Sequence, residues 1–424
     1  AEGDDQGDMR SVHWLLGSML VLGGQGPGCP TGASPPASPV RPGIEVLLSD
    51  SVHLVRGRRV GLVTNQAGVD HRGQSDVERL LQAGVRLVAL FSPEHGFRGT
   101  ANPGAMVASS TDSATGLPIY SLYGPTSAPT DTMLAGVEVL LVDLQDAGAR
   151  YYTYLWTTTE VMRAAARRHL PVVVLDRPNP IGGAVQGNVL DTAFRSAVGL
   201  LAIPMRHGMT LGELARLARR DLGLDTELHV VPAAGWRRSM YFDETGLPFI
   251  PPSPNLQTLA ALTHYPGLCL FEGTTLSVGR GTDHPFEQVG APGLDTARVL
   301  AALRAAGLRG VGFAATSFTP RAPGDGKYAD TLLTGIRLEV TDRAVYDPAL
   351  TALALLQAVA QAGGLPLGTL FPPNRAHFNR LWGARLAVDA PVFREGDWAS
   401  LARGWPAERT QFLERRRPFL IYPD

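Results

Sequence analysis

The segment FSPEHGFRG, residues 91–99, carries the side chains best suited to chemistry in this sequence. It places a carboxylate, an imidazole and a guanidinium close together, on Glu94, His95 and Arg98. A proline fixes φ before the glutamate and a glycine frees the chain after the histidine, so the backbone sets the direction of the side chains between them. The pattern predicts that Glu94 is a general acid at the end of an apolar strand. The alternative is a glutamate that stabilises the turn by pairing with Arg98.

His95 could act as a base, an orienting partner or a ligand, and we favour a hydrogen-bonding role within the turn. The ten histidines of the chain lack the H-x-x-x-H or H-E-x-x-H spacing of zinc sites. Lys327 is the only lysine, which leaves little room for Schiff-base chemistry or for a P-loop. We therefore expect an enzyme that uses neither a metal nor a cofactor.

The stretch DLQDAGARYYTYLW, residues 143–156, combines acids, an amide, an arginine and aromatic rings. Such a set suits a carbohydrate, whose C–H faces stack on aromatic planes while its hydroxyls bind polar side chains. Asp143, at a strand end, is the candidate catalytic acid of this stretch, and the identity of the second catalytic group stays open. The candidate substrate-binding residues in this stretch are Gln145, Arg150, Tyr151 and Tyr154. The alternative is that the aromatic residues are the buried start of the next helix.

A second polar cluster, FEGTTLSVGRGTD at residues 271–283, lies among glycines. Its candidate binding residues are Glu272, Thr274, Arg280 and Thr282. An arginine between two glycines is suited to bind a carboxylate through two parallel N–H donors. The stretch lacks the G-K-[ST] of a phosphate loop, and the chain lacks the G-x-S-x-G of serine hydrolases.

Apolar runs alternate with amphipathic segments from Ile44 onward. The runs that predict buried strands lie at 58–68, 85–96, 119–124, 137–148 and 171–180. Helices are predicted at 75–84, with Ser75 as its N-cap, and at 157–170, which opens with Thr-x-x-Glu. Continuous Val and Leu runs that alternate with helices are typical of a doubly wound, mostly parallel sheet in an α/β fold.

Ligands of such sheets bind outside the carboxyl ends of the strands. The predicted strands end in hydrogen-bonding side chains at this edge: Asn65, Gln66, Glu94, His95, Asp143, Gln145, Asp146, Asp176, Arg177 and Asn179. We therefore expect a site at this edge, to which Asn65, Gln66 and Asn179 contribute substrate contacts.

The length of 424 residues favours two domains, and 44% hydrophobic residues indicate that most of the chain is globular. A net charge of -1 without a long basic run argues against a nucleic-acid partner. After a Pro-rich stretch near Gly246, strands at 311–320 and 335–342 and a helix at 349–363 predict a smaller α/β unit. The expected domains are 43–245 and 246–424, with 1–42 a signal-like segment and a disordered linker.

The N-terminal segment has a short apolar run, Trp14–Leu22, behind Arg10 and ahead of small residues. This is the pattern of a secretory signal peptide, and the run is too short to span a bilayer. We expect an exported protein, periplasmic or extracellular, without a transmembrane segment after processing; the alternative is a tail without function. The residues before Cys29 make a poor lipid-attachment signal, and a disulfide between Cys29 and Cys269 has no support in the sequence.

Several long motifs in a fixed order resemble those of the NamZ-type exo-β-N-acetylmuramidases. They are GLVTNQAGVD, FSPEHGFRG, VDLQDAGARYYTYLWT, VLDRPNP, PMRHGMTLGELA, PSPN and FEGTTLSVGRGTDHPFEQVGAP. The resemblance runs from about Gly43 to the C-terminus. It implies a Rossmann-like domain, a smaller C-terminal domain and a cleft between them. It also implies removal of terminal N-acetylmuramic acid from peptidoglycan fragments such as MurNAc-GlcNAc, with Glu94, in the P-E-H-G motif, as the catalytic residue.

A muropeptide or disaccharide substrate of this kind carries a lactyl carboxylate, which calls for a cation in the pocket. Arg98, Arg150 and Arg280 are the candidates. A binding protein for solutes or cell-wall fragments, without turnover, would share the two-domain architecture and remains the alternative. A phosphatase or nucleotide enzyme is a further rival, which Mg²⁺ dependence would reveal.

Overall fold

A mostly parallel sheet of seven strands forms the centre of the N-terminal part of the protein. The computed structural model describes residues 39–365, 370–371, 375–385 and 398–424. The signal-like segment and Cys29 lie outside these residues. Among the described helices, none has the length and apolar character that crossing a membrane requires.

The strands of the described chain lie in three sheets. They are β1 (Arg59–Thr64), β2 (Arg86–Ser92), β3 (Ser110–Thr111), β4 (Pro118–Ser121), β5 (Val139–Asp143), β6 (Val172–Leu175), β7 (Gln186–Val189), β8 (Pro204–Arg206), β9 (Leu228–Val231), β10 (Gln288–Ala291), β11 (Val311–Phe318) and β12 (Leu333–Val340). The large sheet has the order β3-β4-β2-β1-β5-β6-β9, in which only β3 is antiparallel to its neighbour. This order has a topological switch point between β1 and β5, and it confirms the predicted doubly wound sheet.

The α-helices described are α1 (Gly43–Asp50), α2 (Asp76–Gln82), α3 (Tyr154–Arg167), α4 (Leu211–Asp221), α5 (Leu259–Leu268), α6 (Thr296–Ala305), α7 (Pro348–Ala362), α8 (Ala376–Trp382), α9 (Trp398–Leu401) and α10 (Trp405–Arg416). Helices cover both faces of the large sheet. On β5, Val139 and Leu141 pack in a cluster with Leu47 of α1, whereas Leu140 and Val142 pack in a second cluster that includes α3 and α4. Burial on both faces is why these strands read as continuous apolar runs.

The ends of two helices test the predictions from local sequence. Ser75 accepts a hydrogen bond from the Glu78 N–H at 3.2 Å, so the predicted N-cap of α2 is confirmed. The predicted start of α3 at Thr157 is wrong, because the helix begins at Tyr154 and Thr157 is buried within its first turn. The N-cap of α3 is Thr153, whose side chain makes no capping bond to the helix.

The smaller C-terminal part contains an antiparallel sheet of order β10-β12-β11. Helices α5 and α6 pack on this sheet, and α7 packs on both of these helices. Strands β11 and β12 and helix α7 confirm the predicted elements at 311–320, 335–342 and 349–363. The end of the chain returns to the large sheet, where the Tyr422 hydroxyl donates to Asp176 at 2.7 Å. The domain boundary near residue 245 stays a prediction. Cys269 is free and buried.

Candidate active site

A cavity of about 310 Å³ lies where the loops after β2, β4 and β5 meet the C-terminal part. From the large sheet, its lining includes Glu94, His95, Tyr123 and Thr153. From the C-terminal part, its lining includes Tyr265, Glu272, Arg280 and Phe286. The volume is at the lower end of the roughly 300–1,000 Å³ common for small-molecule sites.

Glu94 is the anchored carboxylate of this cavity. Its Oε1 accepts the Gly104 N–H at 2.9 Å, and its Oε2 accepts the Thr153 hydroxyl at 2.7 Å. Tyr123 lines the cavity beside Glu94. Burial, together with the negative charge of Glu94, raises the pKa of Tyr123 to about 12, so its hydroxyl stays protonated. The two carboxylate oxygens are therefore held in place by one donor from the loop after β2 and one from the loop after β5.

His95 lies beside Glu94 in the left-handed region of backbone conformation, with φ of 71°. Such a conformation costs energy for a residue other than glycine and is common at functional sites. Its Nδ1 is 2.8 Å from the carbonyl oxygen of Ala101, so Nδ1 carries the proton and donates. Burial lowers the pKa of His95, although the charge of Glu94 opposes this effect. A neutral histidine that fixes the loop matches the scaffold role that we favoured from the sequence.

The opposite wall of the cavity carries an ion pair between Glu272 and Arg280. Nε of the arginine donates to Glu272 Oε1 at 2.7 Å, and Nη2 binds the same oxygen. The guanidinium carbon lies 5.1 Å from the centroid of the Phe286 ring. Lys327 donates to the carbonyl oxygens of Phe271, Glu272 and Leu276 at 3.0–3.2 Å, which holds this segment in place.

The structure does not support a catalytic role for Asp143. Its side chain is fully buried outside the cavity lining, and both of its oxygens bind Arg177, with Nη2 to Oδ2 at 3.0 Å. Burial raises the pKa of Asp143, and the positive charge of Arg177 opposes that effect. Asp143 therefore links the ends of two neighbouring strands. The expectation that polar residues at strand ends form the site did not distinguish this structural role from a catalytic one.

Arg150 and Arg98 also lie outside the cavity lining. Arg150 is buried and donates to backbone carbonyls, among them those of Asn188 at 2.8 Å and Leu381 at 2.9 Å. Arg98 is exposed. Of the three arginines considered for a substrate carboxylate, the structure brings only Arg280 to the cavity.

The remaining predicted binding residues divide in the same way. Tyr151 lines the cavity, whereas Tyr154 is buried at the start of α3 and donates to the Pro252 carbonyl at 3.1 Å. The others lie outside the lining and bind nearby protein groups: Asn65, Gln66, Gln145, Asn179, Thr274 and Thr282. They build the loops around the site, and the structure does not support direct substrate contacts for them.

Several lining residues were missed in the sequence. Tyr123 comes just after β4. The sequence predicted this strand at 119–124, but its end was not counted among the strand ends that carry polar side chains, so Tyr123 was missed. The others come together only through tertiary structure and carry no local signal: Thr153, Ser253, Tyr265, Phe286, Asp325 and His377.

One group of described residues could hold a metal ion by its geometry. The ligand atoms of Glu45, Asp70 and His71 lie within 4.8 Å of one another. They already bind within the protein: Glu45 Oε1 accepts the His71 N–H at 2.8 Å, and Asp70 Oδ1 accepts the N–H groups of Arg72 and Gln74. The group is also outside the cavity lining, so nothing in it points to a metal in the candidate active site.

A doubly wound sheet with an anchored carboxylate, facing a smaller domain that carries a cation, is an architecture suited to a hydrolase of a small charged substrate. Comparison with known proteins agrees. Residues 60–260 match the family model of the N-terminal domain of the exo-beta-N-acetylmuramidase NamZ, and residues 263–422 match that of its C-terminal domain. The chain therefore belongs to the NamZ exo-β-N-acetylmuramidase family.

Individual relatives support the same assignment. The chain is 44% identical over 393 residues to the peptidoglycan beta-N-acetylmuramidase NamZ of Bacillus subtilis strain 168, covering 90% of this chain and 91% of the relative. Two crystal structures of DUF1343 family proteins from Bacteroides fragilis match 91% of this chain and all of theirs. Their TM-scores are 0.82 and 0.74, at 32% and 30% identity.

Proposed function

We propose that this protein is an exo-acting glycoside hydrolase that releases terminal N-acetylmuramic acid from the non-reducing end of peptidoglycan fragments. The observation that carries the proposal is the anchored Glu94 in a cavity of about 310 Å³, in a chain of this family. A cavity of this size suits a terminal sugar better than the middle of a long glycan chain, which is consistent with exo action.

Glycoside cleavage requires a proton for the leaving oxygen and a group that stabilises positive charge at the anomeric carbon. In our proposal Glu94 transfers the proton as general acid and base. The donors from Gly104 and Thr153 set its direction in the cavity. The rings of Tyr151, Tyr152 and Tyr265 line the same cavity and supply aromatic surface for the sugar.

The second requirement can be met by a second carboxylate or by the acetamido oxygen of the substrate itself. Glu272 is a second carboxylate of the cavity, but its Oε1 already binds two nitrogens of Arg280. That pairing favours the acetamido oxygen for this step.

The test is the product of hydrolysis. We expect the protein to release free N-acetylmuramic acid from MurNAc-GlcNAc and to leave GlcNAc-MurNAc, which has the other sugar at its non-reducing end, intact. Affinity for MurNAc-GlcNAc without turnover would instead identify a binding protein. We expect activity to survive dialysis against EDTA, and a loss that Mg²⁺ restores would favour the phosphatase or nucleotide class.

We also propose export of the protein, on the basis of the apolar run Trp14–Leu22 and the small residues that follow it. The test is a fusion of residues 1–42 to a phosphatase that is active only outside the cytoplasm. Phosphatase activity is expected, and deletion of Trp14–Leu22 should abolish it. Equal activity of both fusions would overturn the proposal.

A further inference from the structure

Arg280 has a nitrogen that the protein leaves unused. The residue is 6% exposed, and Nη1 has no hydrogen-bond partner in the described part of the chain. Nε and Nη2, in contrast, both bind Glu272. A buried N–H without a partner costs about 1–3 kcal/mol, and more on a charged group, so such atoms in native proteins call for an explanation.

The loop around Arg280 is built to hold the guanidinium at the cavity wall. Gly279 and Gly281 have φ of 78° and 76°. A Cβ at Gly279 would lie 2.8 Å from the carbonyl oxygen of His284, and a Cβ at Gly281 would lie 2.5 Å from that of Arg321. Only glycine fits this turn at both positions. Glu272 and the Phe286 ring then fix the guanidinium so that Nη1 remains the free donor.

The charge of this wall suits an anion. Glu272 offsets the charge of Arg280. Lys327, which lies outside the lining and binds the carbonyl oxygens of Glu272 and Leu276, adds a second positive charge. Asp325 also lines the cavity, but it is exposed, where solvent screens its charge. The NH2 group of Nη1, on a buried guanidinium beside a second cation, is suited to donate to a carboxylate.

Glu94 and Arg280 reach the cavity from different parts of the chain. Glu94 extends from the loop after β2, and Arg280 belongs to the loop that precedes β10 on the other wall. In N-acetylmuramic acid the scissile bond is at C1 and the lactyl ether is at C3 of the ring. A ring placed between the walls can therefore present the glycosidic oxygen to one residue and the lactyl carboxylate to the other.

We propose that Nη1 of Arg280 donates to the lactyl carboxylate of the terminal sugar and so selects N-acetylmuramic acid over N-acetylglucosamine. This inference rests on the proposed function for the identity of the substrate. Arg280 is thereby a specificity-determining residue, and Glu272 positions it. A sugar without the lactyl group leaves Nη1 buried and unpaired, which is the physical basis of the selection.

The test compares substrates that differ only in this charge. The probes are the 4-nitrophenyl β-glycoside of N-acetylmuramic acid and its lactyl methyl ester. We expect the wild-type protein to prefer the acid in kcat/KM by roughly 10- to 100-fold, the scale of one hydrogen bond to a charged group. In Arg280→Met the preference should collapse to about twofold, chiefly through a higher KM for the acid. The value of kcat/KM on the ester reports any general loss of activity in a variant. The ratio of kcat/KM on the acid to that on the ester therefore isolates the effect on the carboxylate.

Two further variants keep the test informative. Arg280→Met leaves Glu272 unpaired, so the double variant Glu272→Gln with Arg280→Met removes both charges of the pair and should show the same loss of preference. Arg98→Met makes the same change at an exposed arginine outside the cavity lining and should keep the preference. A preference that survives in both cavity variants, or a wild-type protein that shows none, would overturn the role of Arg280.

A direct binding measurement separates this inference from the proposed function. Calorimetry with free N-acetylmuramic acid and with N-acetylglucosamine requires no turnover. Tighter binding of the acid sugar to the wild-type protein, lost in Arg280→Met, would support the role of Arg280 even if no glycoside were cleaved. Equal binding of the two sugars to the wild-type protein would contradict it.

Discussion

The hydroxyl of Thr153 binds Glu94 in the candidate active site and does not cap the helix that Thr153 precedes. Thr153 occupies the N-cap of α3, where a threonine side chain usually accepts a backbone N–H and stabilises a helix by about 1 kcal/mol. Here the hydroxyl donates to Glu94 at 2.7 Å. This is why the start of α3 could not be found from capping rules, and it illustrates that local rules fail where function has a competing use for a side chain.

Tyr123 gives a prediction for a single residue. Tyr123→Phe removes the hydroxyl that lines the cavity beside Glu94 and that is available to donate to its carboxylate. The change should lower kcat by about tenfold, the scale of one charge-assisted hydrogen bond. The measurement is kcat on MurNAc-GlcNAc.

Tyr120→Phe is the matched control for this change. Tyr120 lies in β4, shortly before Tyr123, and its ring centroid is 5.6 Å from that of Phe91, outside the cavity lining. An unchanged kcat in Tyr123→Phe, or an equal fall in Tyr120→Phe, would show that the Tyr123 hydroxyl does not act on Glu94.

Residue-level prediction from the sequence succeeded where the backbone itself restricts a side chain. The proline before Glu94 and the glycines around Arg280 are visible in the sequence, and both side chains line the cavity. Asp143 looked equivalent because it also ends a strand. Its partner Arg177 lies in the loop after the neighbouring strand β6, and only the tertiary structure shows that the pair is buried.

At the scale of elements, the N-terminus of α4 joins three parts of the chain. Thr210 and Glu213 form a capping box, and the Thr210 hydroxyl also donates to Asp176 after β6 at 2.6 Å. The Tyr422 hydroxyl donates to the same carboxylate oxygen, and the Gly212 N–H donates to the other. This arrangement fixes α4, the end of β6 and the C-terminal segment to one another.

Thr210→Ala should therefore lower the free energy of unfolding by more than the loss of a helix N-cap alone would. We expect a decrease of about 2–3 kcal/mol in the free energy of unfolding, because the change removes the cap and one donor to a buried carboxylate. Ser75→Ala is the matched control: Ser75 caps α2 at an exposed position and should cost about 1 kcal/mol or less. The measurement is urea unfolding. Equal losses in the two variants would contradict the role of Asp176 in this arrangement.

At the scale of the whole molecule, the strand order explains why the site draws on distant segments. The loops after β2, β4 and β5 meet at one edge of the sheet, and the C-terminal part closes the other side of the cavity. The alternation of apolar runs was enough to predict the sheet. The C-terminal lining could not be predicted, because residues as far apart in sequence as Tyr265 and His377 are brought together only by folding.

Buried carboxyl groups near the site predict how stability depends on pH. Burial raises the pKa of Asp146 to about 7, despite a hydrogen bond from the Gly148 N–H at 2.7 Å. Asp176 adds negative charge nearby, and His207, whose pKa burial lowers to about 3, lies 3.8 Å from Asp146 as a neutral ring. The folded state thus binds the Asp146 proton more tightly than the unfolded state, so this group's contribution to stability falls as pH rises from about 4 to about 7.

Asp146→Asn isolates this contribution. Relative to the wild-type protein, the variant should gain free energy of unfolding on the order of 3 kcal/mol between pH 5 and pH 8. Urea unfolding at both pH values measures the difference. Asp50→Asn, at an exposed aspartate, controls for the loss of a negative charge. A difference that does not change with pH would show that Asp146 does not titrate in this range.

The most direct test of the whole account is the rate of N-acetylmuramic acid release by Glu94→Gln. The change keeps the shape of the side chain and removes its titrating proton. We predict that kcat on MurNAc-GlcNAc falls by roughly 10²-fold or more, the usual scale of general acid–base catalysis, while urea unfolding and binding of the disaccharide are preserved. Turnover close to that of the wild-type protein would contradict the central claim that Glu94 performs the proton transfer in this cavity.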